Sequence, residues 1–344
     1  MTSLAVLIVS TNEAHWLRPC LSSVFAHAGD LDLDVVVADN CSTDGTRELV
    51  ELEFPRARVV TCVNRGFAHG NNTAYFATTA PYVLYLNPDT EILEGTFAEL
   101  VQELEQRPDV GLVGVRQRTS TGQLHPTIRR FPTVRRMLFD SVGLESITSD
   151  KVAMGCRETD LRLYEREVAC DWTSGSFMLA RRTAIQSAGL LDERFFIYLE
   201  ETDFCLRIKQ AGWEVRHLPH MIILHHAGKG GLNERMAAQD AFAWRQYMAK
   251  HFTGPQRVGG AAALALRFGL RATVGGRDPA SNGARRKAAR AALATLVGAR
   301  KPPFGAPPKQ ALIPRGGLEA EVASLVAVPT EGVPTDGSRR RLDI

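Results

Sequence analysis

Tyr82-Val83-Leu84-Tyr85-Leu86-Asn87-Pro88-Asp89-Thr90 is the stretch from which the fold of this chain is read. Five apolar or aromatic residues in a row predict a buried strand, and Asn87-Pro88 stops it. Asp89 then stands just past the carboxyl end of that strand, the rim at which open α/β sheets bind ligands. One acidic oxygen there can hold a hard divalent cation, Mg2+ or Mn2+, and the cation can hold a diphosphate. Asn-Pro-Asp is also ordinary turn chemistry, so the segments around this strand decide between the two readings.

Upstream, Leu4-Ala5-Val6-Leu7-Ile8-Val9 reads as a strand covered on both faces. Leu17, Leu21, Val24, Phe25 and Ala28 mark one face of a helix, and Asp34 to Ala38 forms a second strand ending at Asp39-Asn40. Strand, helix and strand with short links predict a right-handed βαβ unit. Ser42 to Thr46 opens a further helix with Asp44 or Thr43 as N-cap. A short strand at Arg58-Val59-Val60 leads into the loop Asn64 to Asn72. Downstream, Phe97, Leu100, Val101 and Leu104 outline an amphipathic helix, and Val110 to Val115 a strand. The alternation predicts an α/β fold with a mostly parallel open sheet flanked by helices.

Residues 116–170 are polar, Arg-rich and weakly periodic. From Trp172 the pattern tightens again: a strand over Ser176 to Ala180, a helix over Arg182 to Ala188, and a helix over Tyr198 to Ala211. Two short strands follow, Glu214 to Leu218 and Ile222 to Leu224, ending at His225-His226. Residues 1–254 are therefore read as one domain, with a nucleotide-binding half (1–115) and an acceptor or catalytic half (116–254). Residues 255–301 form a basic helical extension, and the Pro- and Gly-rich residues 302–344 a disordered tail.

Composition sets the bounds. The chain has 344 residues, 44% hydrophobic and 23% charged, as expected of a globular protein. Its net charge of +3 is unevenly spread, with ten Arg or Lys and one acid, Asp278, between Arg257 and Lys301. Six scattered cysteines without metal-type spacing fit reduced thiols in a cytoplasmic protein. The first residues lack a signal-peptide pattern, and no apolar run is long enough to span a membrane.

Polar clusters follow four strands: Ser10-Thr11-Asn12, Asp39 to Thr46, Asn64 to Asn72, and Asn87 to Asp89. Together they read as a nucleotide cradle, with Asp39 accepting from a nucleobase edge and Asp89 holding the metal. Gly66 and Gly70 would let backbone approach the phosphates or the sugar. No Gly-x-Gly-x-x-Gly follows the first strand and no Gly-Lys-[Ser/Thr] occurs, so neither a dinucleotide fold nor a P-loop is indicated. The run Asp192 to Arg207 sets five carboxylates beside four aromatics, too costly for an ordinary core. Glu200 and Glu201 lie in the first turn of a helix, where the dipole favours acids, or serve as a general base. Asp203 and Arg207 are placed to pair. His225 is a second candidate metal ligand, and Gly228-Lys229-Gly230-Gly231 a flexible loop able to close over a diphosphate.

These residues in this order resemble the family-2 glycosyltransferases with a GT-A fold, especially the bacterial rhamnosyltransferase-like branch. The matching segments are Val9 to Asn12, Asp39 to Thr46, Asn64-x-Gly66-Phe67 through Asn72, Leu86 to Asp89, Gly175 with Arg181-Arg182, Asp192 to Arg207, Ala211-Gly212-Trp213 and His225-His226. The resemblance implies inverting transfer from a nucleotide-diphosphate sugar to a glycan or polyprenyl-linked acceptor, with dTDP-rhamnose the first donor to consider. It assigns Asp39 to the base, Asp89 and His225 to the metal, and Glu201 to catalysis. Ser10, Asn12, Asn64, Gly66, Asn72, Asn87, Gly175 and Glu200 become substrate contacts, and Asp203 and Arg207 orient the base helix.

Two positions depart from the family. An aromatic usually stands where Thr11 is, and Asn87 removes one carboxylate, which puts more weight on His225. A nucleotidyltransferase should carry a Gly- and Lys/Arg-rich loop after the first strand, and Ser10-Thr11-Asn12-Glu13 is not one. A non-catalytic sugar-nucleotide-binding protein would tolerate loss of Asp89, Glu201 and His225, all present. The basic extension fits an anionic membrane surface as well as it fits a solvated helix. It lacks the interleaved aromatics expected of a nucleic-acid binder. Oligomeric state is left open.

Overall fold

The computed structural model describes residues 3–143, 155–226, 233–273 and 281–304. The strands are β1 (Ser3–Ser10), β2 (Asp32–Asp39), β3 (Ala57–Thr61), β4 (Tyr82–Leu86), β5 (Thr90–Glu94), β6 (Val110–Arg118), β7 (Leu124–His125), β8 (Val168–Ala169), β9 (Phe177–Arg181) and β10 (Glu214–His225). The α-helices are α1 (Ala14–Ala26), α2 (Thr46–Glu53), α3 (Phe67–Phe76), α4 (Phe97–Glu105), α5 (Val134–Ser141), α6 (Arg182–Ala188), α7 (Glu200–Gln210), α8 (Glu234–His251), α9 (Gly254–Thr273) and α10 (Asn282–Leu296).

The strands form one mixed sheet in the order β3-β2-β1-β4-β9-β6-β10-β5, with β7 against β6 and β8 against β10. β1 runs parallel to β2 and β4, β2 to β3, and β10 to β6. β9 enters antiparallel between β4 and β6. Every residue of β4 is buried, as its apolar run requires. α1 and α4 seal the sheet through Leu17, Leu21, Val24, Phe97, Leu100 and Leu104, and α4 starts on a capping box between Thr96 and Glu99.

Some boundaries move. β5, unread in the sequence, pairs antiparallel with β10. The two short strands expected after residue 214 are one strand, β10, whose register against β6 shifts between Leu218 and Ile222. The helix expected from Tyr198 begins at Glu200, because Tyr198 and Leu199 are left-handed (φ 75° and 66°). Gly45, not Thr43 or Asp44, is the α2 N-cap; Asp44 accepts from the Thr46 N–H one residue further in.

α9 and α10 are not free of the rest. Ala263, Leu264 and Phe268 of α9 and Ala292 and Leu296 of α10 share a core with Met137 of α5 and Tyr247 and Met248 of α8. Phe195 and Leu199, just before α7, lie in that same core. The six cysteines are free thiols. Residues 305–344, most of the expected tail, and the 228–231 loop lie outside the described residues.

The turn before α7 is pinned to α3. Phe67 N–H donates to the Phe196 carbonyl at 2.7 Å, and Gly66 (φ +105°) lies so close that a Cβ there would overlap that carbonyl. The close approach glycine permits here is therefore to Phe196, and at Gly70 to Val9, whose side chain lies 2.7 Å from an added Cβ. Gly66→Ala should destabilise the protein by at least about 2 kcal/mol in chemical denaturation. Gly122→Ala, also at positive φ (+77°) but with nothing within 4 Å, should cost only about 1 kcal/mol. Equal costs at the two sites would show that the Phe196 contact is not tight.

Candidate active site

The parallel registers set Ser10 beside Asp39 at the ends of β1 and β2. Asp39 is nearly buried, and its Oδ1 accepts from Ser42 N–H at 3.0 Å. Ser10 Oγ is buried with no hydrogen-bond partner. The two loops above are sewn together. Asn12 Oδ1 accepts from Thr43 N–H at 2.7 Å, Ser42 Oγ from Asn12 N–H at 2.9 Å, and Asp44 Oδ2 from Ala14 N–H at 3.0 Å.

Several residues read as ligand contacts also have protein partners. Asn12 holds the 42–44 loop, and Asn64 Oδ1 accepts from Gly66 N–H at 3.2 Å. Asn72 Nδ2 donates to the Leu191 carbonyl at 2.9 Å and to Glu193 Oε1 at 3.1 Å. These groups shape the cradle.

On the far side of β4, Asp89 Oδ1 lies 3.4 Å from His225 Nε2, both largely buried. The pairing of His225 with Thr90 between β10 and β5 brings them together. The Asp89 carbonyl also accepts from His226 N–H at 3.0 Å. His125 of β7 stacks on His225, ring centroids 5.4 Å apart and planes within 16°. Burial, then the charges of His225, Arg129 and Arg157, push His125 down to about 4. Sequence reasoning missed His125 because it sits in the weakly periodic stretch, on a two-residue strand.

Among the described residues no group of three His, Cys, Asp or Glu forms a metal cage. One hard carboxylate oxygen touching one imidazole, with His225 Nδ1 buried and unpartnered, nonetheless fits a cation whose other positions are filled by diphosphate and water.

Asn87 N–H donates to the Ser176 carbonyl at 3.0 Å. Its neighbour Gly175 faces Glu201, whose Cβ would lie 3.4 Å from a Cβ added there. One hydrogen bond and three peptide steps thus join Asp89 to the Glu201 contact. Glu200 is buried, Glu201 partly so, and each leaves Oε2 buried without a partner. Burial raises both carboxyls above the ordinary range, with Glu201 adding to the rise at Glu200 and Arg129 offsetting part of it at Glu201. The four non-glycine residues at left-handed φ among the described residues, Asn12, Cys41, Tyr198 and Leu199, all sit on these loops. Such strain persists only where surrounding structure over-determines it, and it clusters at working sites.

Helix α7 is braced from behind. Asp203, fully buried, is held by Arg207 Nε at 2.8 Å, His251 Nε2 at 2.7 Å and Lys250 Nζ at 2.5 Å. Burial works against its charge, but His251, Arg207 and Lys250 outweigh it and hold the carboxyl well below the usual range. Arg207 also donates to the carbonyls of Ala188 and Gly189, and Lys250 bridges to Asp192 at 2.6 Å. The expected Asp203–Arg207 pair is present, and α8 adds two partners to it.

One mixed α/β sheet flanked by helices is the architecture of the GT-A glycosyltransferases. Glycosyl transferase family 2 matches residues 5–169. N-acetylglucosaminyl-diphospho-decaprenol L-rhamnosyltransferase of Mycobacterium tuberculosis H37Rv is 30% identical over 235 residues, covering 65% of this chain and 76% of the relative. Rhamnosyltransferase WbbL of Escherichia coli K12 is 23% identical, covering 74% and 93%. The solved structure of GalNAc-T7 with UDP, GalNAc and Mn2+ superposes with a TM-score of 0.50 at 13% identity, over 76% of this chain and 54% of that one. The mannosyltransferase PcManGT from Pyrobaculum calidifontis, in complex with GDP-Man and Mn2+, gives 0.47 at 19% identity, over 94% and 80%. The chain belongs to glycosyltransferase family 2, in its rhamnosyltransferase-like branch.

Removing this buried carboxylate takes away the ion-pair partner of Arg207, leaves Lys250 with Asp192 alone and leaves His251 Nε2 without its acceptor. Asp203→Ala should cost about 3–5 kcal/mol at neutral pH in denaturant titration. Because the Asp203 pKa is depressed in the folded state, its contribution is present above the unfolded carboxylate pKa and lost as pH falls through the folded one. A variant as stable as wild type at neutral pH would mean the brace adds nothing.

Proposed function

We propose that this glycosyltransferase moves a hexose with inversion from a nucleotide-diphosphate sugar to a hydroxyl of a lipid-linked or polysaccharide acceptor. dTDP-rhamnose and a polyprenyl-diphosphate sugar are the first pair to test. The M. tuberculosis relative's name describes L-rhamnosyl transfer to N-acetylglucosaminyl-diphospho-decaprenol, and that likeness supports the choice. The observation that supports this reading is that the Asn87–Ser176–Gly175 connection links the Asp89–His225 pair to the contact with Glu201.

In this mechanism Ser10 and Asp39 face the nucleoside, and Asp39's tie to Ser42 N–H fixes its carboxylate. Glu201 takes the proton from the acceptor hydroxyl as the oxygen attacks the anomeric carbon opposite the leaving diphosphate. Two groups on opposite sides of that carbon give inversion without a covalent intermediate. Asp89 and His225 would hold a divalent cation, which when bound supplies charge stabilisation for the departing diphosphate. Burial favours the neutral carboxyl at Glu201, so it becomes a base only as pH rises past the ordinary carboxylate range, and a stronger one once ionised.

Glu201→Gln should keep donor affinity while turnover falls at least about a hundredfold. The wild-type kcat/KM should rise with pH along a limb above the ordinary carboxylate range, and the variant should lack that limb. Near-normal turnover in the variant would remove Glu201 from the role. Asp89→Asn should abolish the part of nucleotide-sugar binding that depends on Mn2+, read by calorimetry. Unchanged affinity with and without the cation would count against Asp89 as its ligand.

A further inference from the structure

Of the ten large hydrophobic side chains exposed among the described residues, five belong to two helices that pack on each other. Val258 (71% exposed), Leu266 (41%) and Leu270 (37%) lie on α9, and Leu138 (43%) and Val142 (47%) on or next to α5. With Ala262, also exposed, the α9 residues recur every fourth position and so form one stripe. The other side of α9 is already used: Gly260, Ala263, Leu264 and Phe268 are buried. α5 and α9 are locked by Ser141 Oγ donating to the Ala263 carbonyl at 2.7 Å and by Val134 lying against Gly259.

The charge around this stripe has one sign. α9 carries Arg257, Arg267 and Arg271 and no acid. α5 carries Arg135 and Arg136, and its one acid, Asp140, accepts from Cys156 N–H at 3.2 Å. Arg135, Arg257 and Arg271 are exposed. α10, the second helix of the basic extension, buries its apolar side (Ala288, Ala289, Ala291, Ala292, Leu296) and leaves Arg285, Arg286, Lys287 and Arg290 outward. It contributes charge and no apolar face.

We propose that the α5–α9 face seats the enzyme on an anionic lipid bilayer, with Leu266, Leu270 and Val258 entering the headgroup boundary among the arginines. A second copy on this face would set arginines against arginines, whereas an anionic leaflet complements them. The face lies on helices that share one core with Phe195 and Leu199, the residues just before α7. Its use, delivering a lipid-linked acceptor to Glu201, rests on the function proposed above; the docking itself does not.

The test uses the full chain and sedimentation with phosphatidylcholine vesicles, with and without phosphatidylglycerol, in the absence of any nucleotide sugar. Wild type should bind only the anionic vesicles, and less at high salt. Leu266→Asp with Leu270→Asp should lower partitioning at least about tenfold, while circular dichroism and transfer to a soluble acceptor sugar stay unchanged. Leu52→Asp, a control at an 81%-exposed site on α2, should bind vesicles as wild type does. Equal binding to neutral vesicles, or undiminished binding of the double variant, would overturn the proposal. A fall in molar mass by light scattering with vesicle binding intact would assign the face to a second copy and overturn it equally. Because binding is read without transfer, failed docking and failed catalysis give different results.

Discussion

The site depends on the hydrogen bond from Asn87 N–H to the Ser176 carbonyl, 3.0 Å long. It exists because β9 is inserted antiparallel between β4 and β6. That reversal places the start of β9 at the end of β4, so Ser176 and Asn87 meet although they stand 89 positions apart. The strands β1, β2 and β4 with their end loops are thereby fixed to the part of the chain that carries Glu201. A parallel β9 would present its carboxyl end there instead, and Gly175 would sit at the opposite edge of the sheet.

α7 is set against this junction under strain. Tyr198 and Leu199 are left-handed, an arrangement costing on the order of 1–3 kcal/mol per residue. Burying the Oε2 atoms of Glu200 and Glu201 without partners adds to that cost, and the cost grows with pH. Their folded pKa values lie above the unfolded ones, so stability is greatest below the unfolded carboxylate pKa and declines as pH rises through the folded values. Opposing these terms are the Phe67–Phe196 backbone bond, the Asp203 network, and the core in which Phe195 and Leu199 pack with α8, α9 and α10. The C-terminal helices therefore hold the active-site turn in place as well as extending the chain.

Most of the sheet was legible in the sequence because β1, β2 and β4 are apolar runs with few alternatives. Asp89 and His225 were legible as a possible pair because each stands at a strand end, and they do meet. The misreadings have physical causes. β5 is half polar on its exposed positions, and β10 hides behind Pro219 and the register shift next to it. Asn12, Asn64 and Asn72, read by type as ligand contacts, also bond within the rim itself, a role that residue type does not reveal. His125 carries no local signal, since its significance comes from stacking on a residue 100 positions away. The left-handed turn at Tyr198 and Leu199 is invisible in residue type, neither being a residue that favours that conformation.

The most direct test of this account is anomalous diffraction from crystals soaked with Mn2+ and a nucleoside diphosphate. The account requires one Mn2+ peak in contact with Asp89 and His225, with the diphosphate on its open side and the Glu201 carboxylate facing the space beyond the terminal phosphate. A peak on the Glu200–Glu201 pair, or a diphosphate bound away from the end of β4, would contradict it.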